Sequence, residues 1–80
     1  MYLNIGNDMA VREKSIIGIF DLDNTSTSRR TREFLEKAEA EGQVVPCDDL
    51  PKAFLLTQEY GMDRIYLTTL TSATLEKRMK

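Results

Sequence analysis

Ser15-Ile16-Ile17-Gly18-Ile19-Phe20-Asp21 holds the densest apolar run of the chain, four large hydrophobes around one glycine. A run this short, rich in Ile and Phe, reads as a strand buried on both faces. Gly18 inside it predicts close approach by another backbone, or a bend. The rest of the chain reads as cover for this strand.

Upstream, Tyr2-Leu3-Asn4-Ile5 alternates weakly and predicts a strand, Gly6-Asn7-Asp8 a turn, and Met9-Ala10-Val11 a second short strand. Together they make a hairpin. Arg12-Glu13-Lys14 is a charged link into the central strand. Downstream, residues 21–28 form a polar stretch full of possible helix caps. A helix is expected over 28–41, with Thr31, Phe34, Leu35 and Ala38 on one face and Gly42 as its stop. Its charge order is inverted: Arg29, Arg30 and Arg32 open it, and Glu36, Glu39 and Glu41 close it. The macrodipole favours the reverse by roughly 0.3–1 kcal/mol per charge. Either screened surface charges tolerate this, or the three arginines meet an anionic partner.

Val44-Val45 predicts a short strand ended by Pro46, and residues 47–51 a loop. Residues 53–57 (Ala-Phe-Leu-Leu-Thr) form a second buried-strand candidate. A Gly-containing turn over 59–63 leads to a strand over 64–67, so these two should form a hairpin. Residues 72–80 predict a short C-terminal helix capped by Thr71 or Ser72. Lys77, Arg78 and Lys80 near its end suit the dipole or an oligomer contact. The expected fold is α+β: one domain over 1–80, with a small mixed or antiparallel sheet of about five to six strands. One long helix and one short C-terminal helix should lie on one side of it.

Eighty residues bury a modest core, and the chain has no Trp and three Phe. Small domains without staples often oligomerise, so a homo-oligomer is expected. The formal net charge of −2 gives no global attraction to nucleic acid or to an anionic membrane, though a local basic patch remains open. One cysteine, Cys47, fits a reducing cytoplasm, and Met1 is followed by no signal-peptide pattern. The absence of His removes the commonest general base and metal ligand.

Ile16 to Thr25 resembles the first motif of haloacid-dehalogenase-type phosphatases, an apolar strand followed by Asp-x-Asp-x-Thr. The resemblance would make Asp21 the nucleophile and Asp23 the acid/base, with Asp48-Asp49 as a later acidic pair and Thr57 as a second-strand hydroxyl. A carboxylate nucleophile beside a metal suits phosphoryl transfer. That family needs a doubly wound parallel sheet, which 80 residues with one full-length helix cannot supply. An EF-hand fails on Ser26 and Arg32, where Gly and Glu are required. No catalytic, cofactor or metal residues are expected.

A wider similarity runs through Met1-Tyr2-Leu3 to Gly6, Ile17-Gly18-Ile19-Phe20-Asp21 and Glu33-Phe34-Leu35. It continues through Val44-Val45-Pro46, Pro51-Lys52-Ala53 to Thr57, Ile65-Tyr66, and residues 72–78 around Thr74-Leu75. In this order and spacing the chain resembles the small bacterial extracellular matrix regulators of the RemA/RemB family, and the RemB type more closely. The resemblance implies a LytTR-like domain, ring-like homo-oligomers, and transcriptional control of biofilm matrix genes. It also implies DNA contacts by arginines repeated around the ring. The family arginines fall at Ser15, Asp49 and Leu50 here and cannot be carried over. The basic groups left for DNA are Arg12, Lys14, Arg29, Arg30, Arg32 and Lys52. The same fold without direct DNA contact, acting through protein partners, is the second expectation. No membrane and no small-molecule substrate is expected.

Overall fold

The computed structural model describes residues 1–6, 9–22 and 29–79. Among them, six strands fall into two sheets. Strands β1 (Tyr2–Asn4) and β2 (Ala10–Arg12) form an antiparallel pair with Leu3 opposite Val11. The larger sheet has the order β3-β5-β6-β4, from β3 (Ile16–Asp21), β4 (Val44–Val45), β5 (Ala53–Glu59) and β6 (Met62–Thr68). Its neighbours are antiparallel except the parallel pair β4–β6. The mixed-sheet α+β expectation holds.

Two expectations fail. First, β3 is an edge strand and is not buried on both faces: Ile17 is 59% and Phe20 45% exposed. The strand buried on both faces is β5, which runs between β3 and β6. Apolar density marks both strands alike, and only the pairing order separates them. Second, the helices lie on opposite faces. Alternation along β5 settles this. Ala53 and Leu55 join Leu3, Ile5, Val11 and Leu75 in one core cluster, whereas Phe54 joins Ala38 and Ile65 in another. Leu75 belongs to α2 (Ser72–Arg78) and Ala38 to α1 (Arg29–Ala40). The β1–β2 hairpin and α2 therefore share the first face, and α1 covers the second.

Gly18 answers to both expected causes in altered form. The register of β3 on β5 shifts between Ile16 and Gly18, so the strand carries a bulge there. The close approach is by a ring rather than a backbone. A Cβ on Gly18 would lie 2.9 Å from Cε2 of Phe20. Phe20 folds back over that gap and stacks on Phe54, with centroids 5.0 Å apart.

Helix α1 stops as expected. Gly42 has φ +74°, Gly42 N donates to Glu39 O, and Gln43 N donates to Ala38 O, which satisfies two terminal carbonyls. Thr71 caps α2, its Oγ1 accepting from Thr74 N at 3.2 Å. The β5–β6 turn is tighter than expected. Strand β5 runs to Glu59 and β6 starts at Met62, leaving Tyr60 (φ +52°) and Gly61 (φ +76°) as a two-residue turn of the primed type. A tyrosine in that left-handed position is uncommon.

Two long-range polar contacts close the first face. Thr68 Oγ1, buried, donates to Ile5 O at 2.6 Å and accepts from Leu70 N at 3.0 Å. Arg78 Nη1 donates to Asn4 O at 3.1 Å, so Arg78 ties α2 to β1 besides sitting at the helix end.

Candidate nucleic-acid interface

The six basic candidates do not meet in one patch. Arg12 ends β2 on the first face and reaches Glu59, the last residue of β5, at 3.7 Å. Lys14 is exposed in the single 3-10 turn that follows, Glu13–Ser15. Lys52 stands at the other end of β5, where its backbone accepts from Leu22 N and donates to Thr68 O. Seven residues of extended chain put about 20 Å between these ends.

Arg29, Arg30 and Arg32 form the one dense group. All three are exposed and lie within the first turn of α1, which holds no acidic residue. Arg29 leans on Glu33 one turn later, at 3.9 Å. Arg30 and Arg32 make no ion pair among the described residues. Arg30 borders a groove with Phe20, Phe34 and Leu56, while Arg32 lies with Arg29 and Glu36 on another side of the helix. The group is thus a fan of positive charge at a helix start. The positive end of the dipole and oriented N–H groups there also favour an anion.

Sequence reading passed over Arg64. It is exposed on the first face in the middle of β6. With Thr57, Glu59, Tyr60, Met62 and Tyr66 it bounds a groove of about 290 Å³. Its guanidinium is raised above its ordinary pKa, first by a side-chain hydrogen bond with Tyr66 and then by that group's charge, so it stays cationic. Glu59 faces both Arg64 and Arg12, leaving one carboxylate between two arginines. The signal lay in the period of two that puts Met62, Arg64 and Tyr66 on one side of a strand.

The positions where the resemblance implied arginines differ in access: Ser15 is buried, whereas Leu50 is 82% exposed. Asp49 is exposed and turns its Oδ1 to Leu50 N at 2.7 Å, inside its own loop. Cys47, unpaired by any disulfide, donates from Sγ to Asp49 O at 3.0 Å in the same loop.

The phosphatase-like pieces are not brought together. Asp21 lies opposite Ala53, and Thr57 lies opposite Ile16, at the other end of the antiparallel β3–β5 pair. About 13 Å of strand separates them. The Thr57 hydroxyl is buried and donates to Arg64 O at 2.9 Å. Asp23 to Ser28 lie outside the described residues. Among the described residues no three His, Cys, Asp or Glu converge to hold a metal ion. No helix among them is long and apolar enough to cross a membrane.

The profile of a family described as "RemA-like: Extracellular matrix regulatory protein A-like" matches residues 2–79. The chain is also similar to "Extracellular matrix regulatory protein B" of Bacillus subtilis (strain 168). The two are 37% identical over 79 residues, which covers 98% of this chain and 89% of that relative.

Proposed function

Because the chain belongs to the RemA-like family of extracellular matrix regulatory proteins, we propose that it is a non-enzymatic, cytoplasmic regulator that binds DNA as a homo-oligomer and controls biofilm matrix genes. The observation that carries the DNA part is the exposed trio Arg29, Arg30 and Arg32 at the start of α1. Glu33 accounts for Arg29 alone, and the dipole disfavours cations where it is already positive; a phosphate backbone would favour all three. A single trio supplies few contacts, but copies in one assembly act at high effective concentration and sum them. The acidic balance of the whole chain then keeps binding local to this surface.

The test is fluorescence anisotropy with duplex DNA at low and near-physiological salt, comparing the natural chain with Arg30→Glu/Arg32→Glu. The natural chain should weaken steeply with salt. The double variant should bind at least tenfold more weakly, with a salt slope shallower by about one per lost phosphate contact. No binding at low salt by a folded oligomer overturns the DNA part. The burial of Ser15 and the exposed Leu50 favour a second reading, the same fold acting through a protein partner, and that result would select it.

A further inference from the structure

We propose that the groove at the turn end of β5 and β6 binds one nucleotide, with its base against Tyr60 and Met62 and its phosphate on Arg64. The site lies on the first face of the sheet, whereas the arginine trio belongs to α1 on the second. It therefore does not depend on the DNA contact proposed for that trio.

The β1–β2 hairpin and α2 cover the first face over Ala53 and Leu55. Thr57 and Glu59 of β5, with Met62, Arg64 and Tyr66 of β6, continue that face toward the turn. There they line the groove of about 290 Å³, together with Tyr60. This is the small end of the range for ligand clefts and suits one nucleotide rather than a larger cofactor.

Neither packing nor turn chemistry explains Tyr60. Its side chain is 90% exposed, and its φ of +52° is one that Asn or Gly adopts with less strain. Strain of this kind is kept where a residue serves a ligand. Met62, 65% exposed, lines the same groove. An exposed ring beside a thioether offers a flat apolar surface on which a base stacks.

Charge supplies the other half. Glu59 makes its ion pair with Arg12, at 3.7 Å. Arg64 makes none among the described residues, so Arg12, Glu59 and Arg64 together carry one net positive charge. Tyr66 accepts a hydrogen bond from the Arg64 guanidinium and orients it. An oriented guanidinium fork matches a pair of phosphate oxygens. One negative charge neutralises the cluster, which fits a phosphodiester better than a phosphate monoester carrying up to about two. A phosphodiester beside a base occurs in a free cyclic nucleotide and in an unpaired nucleic-acid strand, and two probes separate these sources.

The experiment is isothermal titration calorimetry of the natural chain with cyclic AMP and with a short oligothymidylate. At least one should saturate. Saturation by cyclic AMP assigns a free nucleotide, and saturation by oligothymidylate alone assigns an unpaired strand. Arg64→Gln should weaken that binding about tenfold or more. Tyr60→Asn should weaken it about fivefold or more, and Tyr60→Phe should keep it. Lys37→Ser, which removes an equal charge from an exposed position of α1, should also keep it. By circular dichroism Tyr60→Asn should melt no lower than the natural chain, because Asn tolerates the left-handed turn. Its weaker binding is then not a failure to fold. No saturation by either probe overturns the site. Undiminished binding by Arg64→Gln or Tyr60→Asn overturns it too, as does equal weakening by Lys37→Ser. A lower melting temperature for Tyr60→Asn makes Tyr60 a structural residue and overturns its place against the base.

Discussion

On the first face of the four-stranded sheet, Leu3, Ile5, Val11, Ala53, Leu55 and Leu75 are each at most 3% exposed. On the second, Ala38, Phe54 and Ile65 are the buried residues of the cluster, and Phe34 and Phe20 hang over its rim. The first face is covered by two elements and closed by the Thr68–Ile5 and Arg78–Asn4 hydrogen bonds. The second carries one helix. The unequal cover assigns the faces different work. The first holds the fold together, and the second leaves an apolar margin beside β3, the edge strand among the described residues, and a cluster of arginines.

The comparison breaks most readily at adjacent residues of β5 that point to opposite faces. Leu55→Ala should cost about 2–5 kcal/mol, with a cavity left under α2 and the hairpin. Leu56→Ala, at a half-buried position on the second face, should cost under about 2 kcal/mol. Urea titrations of both variants measure the difference, and equal costs would erase the distinction between the faces. Next in size, Thr68→Val keeps the shape but leaves Ile5 O and Leu70 N without their partner. It should lower the urea-derived stability by about 1–3 kcal/mol.

The smallest stability effect belongs to the second face. The Cβ of Gly18→Ala would meet the outer atoms of a half-exposed ring, which can swing outward. Its cost should stay under about 1 kcal/mol in the same titration. A large loss of stability would mean that Phe20 belongs to the core.

Much of the fold was legible because its signals are local. The alternation at Tyr2-Leu3-Asn4, the helical spacing of Leu35 and Ala38, and the stop at Gly42 each depend on a few neighbouring residues. The lateral order of strands is not local. Ile16 to Phe20 and Ala53 to Thr57 are similarly apolar, yet one lies at the edge and the other in the middle, a difference set by what pairs on the far side. The same limit hid the opposite placement of the helices. The β5–β6 hairpin is legible from Gly61, but its closure by two residues is not, because a left-handed tyrosine breaks the usual Asn or Gly preference. The arginine trio was visible as a charge run. Arg64 was not, because its company with Tyr66 and Glu59 appears only once β5 and β6 are paired.

The bonds from Thr68 to Ile5 and from Arg78 to Asn4 join residues 63 and 74 positions apart. That separation has a consequence in time. The β5–β6 hairpin, closed by two residues, can form in about 1–10 μs. The β1–β2 hairpin precedes α2 along the chain and lacks its lid until α2 exists. At roughly 5–20 residues per second, Leu3, Ile5 and Val11 wait about 4–15 s for Leu75 and Arg78 to emerge. Leu3, Ile5 and Val11 are thus sheltered only once α2 has been made, long after their own hairpin.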